Sequence, residues 1–452
     1  MSSPRMTRRV RALSPPERAM EILQQRLQAF NIVMASRVRL PLEGATVQQA
    51  LNMLQQRHPH LRYQIVWSGD RPYFEEFPSQ TLPKLPVQVL RQADWQTVVE
   101  AELNRGFASD DPLMRVTVIP GLSPTDATYL IMTLHHAIAD GVSSLNLHLE
   151  LLTYCQHILQ GGIGDLPPNL AAIPPLETLL PGWRQSIYAQ IKGWWFLLRS
   201  QIRIARHRPE ALAFEQHAPF ESRDCGLVHT GLSPALTQQL IQTARQAQTT
   251  VQGALCAAML LAVARAIAPM KDRTVPVNCQ SYVDLRRQLK PTIDQEHLGM
   301  LASAMLTFHT IEPATEFWEL ARQVKHQLDA GLKRQKMFDV ATLFPTIVET
   351  YLACPDAAPA TVALTNLGRI DLPDELKAVV EDLHFAVGQR VYGGIFAAAA
   401  ATCQSRMTLN FLFSQPTISR ETARAIAHQV TVYLEMACRQ ATGSEQIAQE
   451  AL

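Results

Sequence analysis

The sequence predicts an α/β protein built from two similar lobes. Both halves alternate short apolar runs, typical of strands, with longer segments whose apolar residues recur at helical spacing. Between them, residues 161–181 are dense in glycine and proline, as linkers are. The length of 452 residues is enough for two or three domains. We therefore divide the chain into a basic tail, an N-terminal lobe, a linker with a basic helix, and a C-terminal lobe, at 1–12, 13–160, 161–224 and 225–452.

Local patterns define the elements of the first half. Ser14 is placed to cap a helix whose first turn holds two prolines. A second helical pattern over 46–57 ends at His58, because the residue before a proline disfavours helical geometry. We expect His58 and His60 to lie in a surface loop. Strand-like runs are found at 63–67, 116–119 and 127–132.

The second half repeats the alternation without a detectable sequence repeat. Thr250 is placed to cap a helix with an apolar face. We expect strands at 226–230, 275–283, 361–369 and 407–413, and helices at 233–245, 251–262, 315–336 and from about residue 419.

Residues 182–208 form a basic amphipathic pattern. Apolar residues, two tryptophans among them, recur at helical spacing. The segment also contains six basic residues, five arginines and one lysine, and no acidic residue occurs between Glu177 and Glu210. Such a helix fits a membrane interface or an anionic partner. The alternative is a helix that packs its apolar face on the protein's own body and leaves its arginines in water.

Composition narrows the function classes. The 41 basic and 40 acidic residues give a net charge of +1, so no overall field favours nucleic acid. Seven scattered cysteines without a CxxC pair suit reduced thiols. The basic N-terminus lacks the apolar core of a signal peptide, and no apolar run reaches the roughly 18 residues of a membrane span. We expect a cytoplasmic monomer, with peripheral membrane contact through 182–208 left open.

Residues 135–141 read HHAIADG and connect a predicted strand to a predicted helix. A histidine at such a turn can face a cavity while rigid elements hold it. With an ordinary pKa of roughly 6.5, it can accept a proton at neutral pH and return it later. The chain has no GxSxG elbow, and no cysteine lies close to the turn. This pattern favours direct attack by a substrate hydroxyl in a ternary complex.

The HHxxxDG pattern resembles the signature of a large acyltransferase superfamily. That superfamily includes chloramphenicol acetyltransferase, nonribosomal peptide condensation domains, polyketide-associated and wax-ester acyltransferases, and the plant BAHD enzymes. Further matches occur in the expected order, at 13–18, 57–62, 112–115 and 284–286. The Asp-Phe-Gly-Trp-Gly motif of the BAHD branch is absent, so the chain is more similar to the bacterial branches.

The resemblance implies two chloramphenicol-acetyltransferase-like lobes with an active-site channel between them. It implies that His136 is the general base and that the backbone N–H of Gly141 binds the oxyanion. Asp140 would pair with an arginine of the second half, best matched by Arg286 and next by Arg287. The alternative is that Asp140 only caps the following helix.

Other residues of the motif region have more than one interpretation. His135 is expected to be a buried orienting residue. Asn366 and Ser143 are candidates to bind the acceptor, although Asn366 could instead end a strand. A metal site at His135, His136 and Asp140 would need further ligands, and none is evident in the sequence. We therefore expect neither a metal nor a resident cofactor.

The resemblance implies an O-acyltransferase. The donor would be an acyl thioester, carried by coenzyme A or by a phosphopantetheinyl carrier protein. The expected acceptor is the hydroxyl of a lipid-like alcohol or a polyketide. Two alternatives stay open: a free-standing condensation enzyme that forms amides, and a non-catalytic condensation-like binding module.

Overall fold

The computed structural model contains two sheet-based lobes joined by shared elements. It describes residues 8–28, 30–121, 123, 126–162, 167–182, 187–270, 273–354 and 356–450. The architecture is the predicted α/β arrangement with two lobes. One hydrophobic cluster fills the N-terminal lobe and continues onto C-terminal residues such as Leu227, Ala363 and Ala399, and a second cluster lies within the C-terminal lobe.

The N-terminal lobe is built on one mixed sheet and a small antiparallel sheet. Its helices are α1 (Pro15–Leu27), α2 (Gly44–Arg57), α3 (Trp95–Asn104) and α4 (Gly141–Leu159). The small sheet consists of β1 (Arg8–Ala12), β3 (Tyr63–Ser68) and β4 (Arg71–Glu76). The mixed sheet takes from this half β2 (Ile32–Val38), β5 (Val87–Val89), β6 (Met114–Ile119) and β7 (Thr128–Leu134).

The C-terminal lobe is built on a six-stranded sheet. Its strands are β8 (Asp224–Leu232), β9 (Val275–Asp284), β10 (Ala302–Ile311), β11 (Val362–Ile370), β13 (Phe396–Cys403) and β14 (Arg406–Gln415), and their order in the sheet is β10-β9-β11-β13-β14-β8. Its helices are α7 (Pro234–Gln246), α8 (Val251–Ile267), α9 (Phe317–Lys333), α10 (Lys336–Leu352) and α11 (Arg420–Glu450). The connection between the lobes contains α5 (Leu176–Leu179) and α6 (Ile187–His207).

One strand crosses between the lobes. β12 (Val380–Val387) pairs antiparallel with β2 and completes the N-terminal sheet in the order β12-β2-β7-β6-β5. The prediction that 225–452 forms the C-terminal lobe is therefore wrong for this strand. The exchange covers the edge of β2 and buries Phe385. A strand's own periodicity does not reveal which sheet it joins.

The predicted basic tail is also partly structured. Residues 1–7 lie outside the described residues, but Arg8–Ala12 forms β1 and pairs with β4. Arg11 lies over the ring of Phe74 at 5.0 Å and donates to the Glu17 carboxylate at 2.7 Å. The basic side chains made this segment look like a tail in the sequence. Their charges are neutralised by Glu17 and Glu75, which lie outside the segment.

The glycine- and proline-rich connection packs against the second lobe. The side chains that enter its core are Ile173, Leu176, Leu179 and Leu180. The start of the predicted helix, at 183–186, lies outside the described residues, and α6 follows from Ile187. The apolar residues of this connection hold it on the protein body.

His58 and His60 are buried, so the prediction of a surface loop is wrong. His58 Nε2 lies 2.9 Å from Glu150 Oε2 on α4. His60 packs edge-on against Phe74, with the ring centroids 5.6 Å apart. Burial lowers the pKa of His60 to about 3 and keeps it neutral. Partners distant in sequence accommodate both imidazoles inside the core.

Candidate active site

The HHxxxDG turn lies between the end of β7 and the first residue of α4. β7 is almost entirely buried and runs straight into His135. Asp140 is the N-cap of α4, and its Oδ1 accepts from the N–H of Ser143 at 3.0 Å. A rigid strand on one side and a capped helix on the other thus define the geometry of the turn.

The His136 ring has one nitrogen engaged and one available. Its Nδ1 lies 2.8 Å from the carbonyl oxygen of Ala139, which can only accept, so Nδ1 carries the proton and donates. In the neutral ring, Nε2 is then the acceptor, and the contacts among the described residues include no hydrogen bond to it. The side chain is half-buried. Burial lowers the pKa of His136 below its ordinary value, although the hydrogen bond to Ala139 opposes this shift. His136 is therefore a neutral imidazole with a free basic nitrogen at neutral pH.

His135 has both ring nitrogens engaged. Its Nδ1 accepts from the N–H of Ala137 at 3.0 Å, and its Nε2 lies 3.1 Å from the Glu21 carboxylate. Glu21 also accepts from the indole N–H of Trp67 at 2.8 Å. His135 is buried, and its contacts orient the turn. Sequence reasoning missed Glu21, whose only signal was an acidic residue between apolar Met20 and Ile22.

Asp140 both caps α4 and pairs with an arginine of the other lobe. Its Oδ2 accepts from Arg286 Nη1 at 2.7 Å and from the N–H of Leu301 at 2.9 Å. Burial alone would raise the pKa of Asp140, but attraction to Arg286 and the hydrogen bonds lower it below its ordinary value. The carboxylate is therefore charged, and it joins the start of α4 to the C-terminal lobe.

Arg286, rather than its neighbour, is the partner of Asp140. Arg286 is buried and also donates to Asp284 at 2.9 Å, whereas Arg287 is exposed. Attraction to two carboxylates raises the pKa of Arg286 against the effect of burial. Two negative groups thus compensate one buried guanidinium.

Gly141 lies where one strand from each of the two large sheets approaches α4 closely. A Cβ at this position would lie 2.9 Å from Leu367 Cδ2 on β11 and 3.1 Å from Phe385 Cζ on β12. A side chain would therefore crowd the inter-lobe junction. As the first residue of α4, Gly141 belongs to the turn whose N–H groups have no partner within the helix.

The two candidate acceptor-binding residues both make hydrogen bonds within the protein. Ser143 is fully buried, and its hydroxyl lies 3.2 Å from Asp140 Oδ1, which leaves an acceptor no access to it. Asn366 Oδ1 accepts from the N–H of Gly368 at 2.8 Å. Asn366 does not end its strand, as the alternative held: β11 shifts register between Asn366 and Arg369 and continues to Ile370. A bulge cannot be recognised from the Asn-x-Gly pattern alone.

The site is defined by imidazole and backbone groups. Within the described part of the chain, no cluster of three or more histidine, cysteine or acidic residues has the geometry to hold a metal ion. The available chemistry at the turn is one proton acceptor, His136 Nε2, beside the N-terminus of a helix that favours negative charge.

Two family models match the chain in order. The condensation-domain model matches residues 12–169, and the model described as phthiocerol/phthiodiolone dimycocerosyl transferase C-terminus matches residues 222–418. Two curated relatives, both phthiocerol/phthiodiolone dimycocerosyl transferases, come from Mycobacterium sp. strains JLS and MCS. Each is 26% identical over 242 residues, which cover 51% of this chain and 53% of the relative. The chain thus spans about half the length of the curated relatives it matches.

Solved structures share the whole fold. Polyketide synthase associated protein 5 from Mycobacterium tuberculosis aligns over 95% of this chain and 100% of its own, with a TM-score of 0.70 and 19% identity. A trichothecene 15-O-acetyltransferase from Fusarium sporotrichioides aligns over 97% of both chains, with a TM-score of 0.73 and 13% identity. The first condensation domain of the calcium-dependent antibiotic synthetase covers 95% of this chain and 97% of its own, with a TM-score of 0.70 and 15% identity. The two family models thus fall on the two halves of one fold, and the chain is similar to the superfamily of condensation domains and chloramphenicol-acetyltransferase-like acyltransferases.

Proposed function

We propose that the protein transfers an acyl group from a thioester to the hydroxyl of an acceptor, with His136 as the general base. The observation that carries this proposal is the hydrogen bond from His136 Nδ1 to Ala139, which leaves Nε2 as the free acceptor. Two further facts support it: the half-buried position of His136 and the curated relatives that are named transferases. No enzyme nucleophile is required, because the base activates the acceptor directly.

The proposed reaction is one addition followed by one elimination. His136 Nε2 takes the proton of the acceptor hydroxyl group. At the same time the hydroxyl oxygen attacks the carbonyl carbon of the thioester. The carbonyl electron pair moves to oxygen, and the backbone N–H of Gly141 donates to that oxyanion. The pair then returns, the carbon–sulfur bond breaks, and the departing sulfur takes the proton from His136. The products are an ester and a free thiol, and His136 is neutral again.

Asp140 and Arg286 serve this chemistry by position. Their ion pair is buried and distant in sequence, and it links the first turn of α4 to the segment after β9. The proton carried by His136 need not pass to Asp140, since Oδ1 and Oδ2 are both occupied by other donors. We assign both residues a positioning role.

The donor is proposed to be acyl-coenzyme A or an acyl chain on a phosphopantetheinyl carrier protein. The acceptor is proposed to be a lipid-like alcohol or a polyketide hydroxyl. Support for this acceptor comes from relatives whose names contain phthiocerol and phthiodiolone. The sequence match behind this support covers 53% of each of those relatives.

A substrate panel tests the proposed function. The protein is incubated with acyl-coenzyme A donors of increasing length, against long-chain alcohols in one series and amines in another, while thiol release and product mass are measured. We expect esters with the alcohols and release that depends on the acceptor. Amide products alone would replace the proposal with a condensation activity. If neither series gives a product, even with carrier-bound donors, and the protein captures an acyl carrier protein, the transferase proposal would be replaced by a binding module.

The lowered pKa of His136 predicts an acid limb in the pH profile. The neutral ring is the active base, so kcat/KM should be level at neutral pH and should fall as pH drops through the pKa. Because burial lowers that pKa, the midpoint should lie below the ordinary histidine value of roughly 6.5, with about a tenfold loss per pH unit beyond it. Samples held at low pH and assayed at neutral pH control for unfolding. A midpoint above the ordinary value would contradict the assignment.

A further inference from the structure

Helix α6 exposes a row of large apolar side chains. Trp195, Leu198 and Ile202 are 58%, 50% and 57% exposed, among the most exposed large apolar residues of the described chain. At about 100° per residue, the three fall within one arc of about 60° on the helix. A contiguous apolar row in water marks an interaction surface more often than scattered apolar residues do. We call these three residues the α6 stripe.

Other parts of the α6 surface are held on the C-terminal lobe. A Cβ at Gly193 would lie 3.3 Å from Leu343 on α10, which shows how closely the two helices approach. Arg203 lies over the ring of Phe308 at 4.2 Å and donates to Gln327 at 3.0 Å. The helix thus already has an inner face, and the stripe is a second apolar face that this inner packing leaves in water.

Positive charge lies beside the stripe. Arg199 and Arg206 are exposed and lie within about 40° of Trp195 around the helix. The sequence from 178 to 209 contains no acidic residue, although the whole chain has a net charge of only +1. The combination of an apolar row, a tryptophan and adjacent arginines complements the boundary between anionic headgroups and acyl chains.

This surface lies outside both parts of the chain that the family models match. The matches end at residue 169 and resume at residue 222, and α6 lies between them. No single helix among the described residues is long and apolar enough to cross a bilayer. The pair α7 and α8 has the length and composition of a membrane span only when the two helices are taken together, and they are bent by 101° where they meet. α6, about 31 Å long at 1.5 Å per residue, has the dimensions and polarity to lie along a surface.

We propose that α6 docks the protein on an anionic lipid surface, with the α6 stripe inserted at the headgroup boundary and Arg199 and Arg206 against lipid phosphates. The apolar row is the reason to favour lipid over an acidic protein, because three large side chains gain from burial in acyl chains while the guanidinium groups stay at the headgroup level. The docking itself requires no acyl transfer.

Vesicle co-sedimentation of the full chain tests this proposal. The vesicles contain phosphatidylcholine alone or with phosphatidylglycerol. We expect binding to the anionic vesicles, at least about a tenfold loss for Trp195→Ser/Leu198→Ser/Ile202→Ser, and a several-fold loss for Arg199→Gln/Arg206→Gln or at high salt. The matched control is Val89→Ser/Leu159→Ser/Met270→Ser, which removes three exposed apolar side chains elsewhere and should bind like the parent protein.

Two outcomes would overturn the proposal. In the first, the parent protein does not sediment with anionic vesicles; if an acidic carrier protein is then retained in a stripe-dependent way, the surface is assigned to a protein partner. In the second, the stripe variant sediments as well as the parent protein. Equal thermal midpoints for all variants show that lost binding is not lost folding, and because no turnover is measured, the result is independent of the proposed transferase activity.

Discussion

Replacement of His136 by alanine should lower the acyl-transfer rate by about 10²–10⁴-fold, the usual contribution of a positioned general base. The imidazole is the group of the HHxxxDG turn with a free basic nitrogen, since His135 has both nitrogens engaged. Without it, the acceptor hydroxyl attacks in its protonated form, and the departing sulfur leaves without a proton donor. The loss should appear in kcat, with a smaller change in KM, because the proton transfer occurs in the transition state.

The matched control for this experiment is His157→Ala. His157 lies on the same helix, near its far end, and its side chain is 36% exposed. This variant should keep the parental rate. Both variants should unfold at nearly the parental temperature, since His136 is only half-buried and bonds to a single backbone carbonyl. Full turnover by His136→Ala would refute the assignment of the base.

Loss of the Arg286 guanidinium should destabilise the protein by about 3–5 kcal/mol, the cost of leaving one charge of a buried ion pair without its partner. In Arg286→Met, the carboxylate of Asp140 would keep its hydrogen bonds from Ser143 and Leu301 but lose its only guanidinium partner in the described structure. Chemical denaturation, followed at the first unfolding transition, measures the change in the free energy of unfolding.

The neighbouring arginine provides the control. Arg287→Met removes the same group from an exposed position one residue away and should change the free energy of unfolding by less than about 0.5 kcal/mol. Adding Asp140→Asn to Arg286→Met should recover part of the loss, because the uncompensated negative charge is then removed while the amide oxygen can still cap α4. Equal effects of Arg286→Met and Arg287→Met would contradict the buried pair.

Loss of activity in Asp140 or Arg286 variants would not by itself show a chemical role. The ion pair joins α4 to the segment that follows β9, so a variant can lose the geometry of the turn before it loses any reacting group. The distinction from His136 is therefore measurable: a positioning variant changes stability and activity together, whereas His136→Ala should change activity alone.

Local sequence patterns predicted most of the secondary structure. The capped helix at Ser14, the helix that ends before Pro59 and the strand-to-helix turn at His136 are all where the patterns indicated. Helical spacing over 315–336 predicted α9, but the separate helix α10 was missed, because the break at Gln335, with its positive φ of 53°, has no glycine or proline to mark it. Caps, breakers and periodicity are properties of neighbouring residues, which is why a sequence reveals them.

Patterns in the sequence were enough to predict most of the elements, the two-lobed architecture and the turn that holds the free imidazole, although β1 and α10 were missed. Long-range packing determines that β12 completes the sheet of the other lobe, that Glu21 contacts His135 and that His58 and His60 are buried. It also determines that one face of α6 packs on the C-terminal lobe while another is left in water. These features escape the sequence because the partners are far apart along the chain. Asp140 and Arg286 are 146 residues apart, and no local pattern encodes which buried charge meets which, because that choice follows from how whole sheets and helices pack.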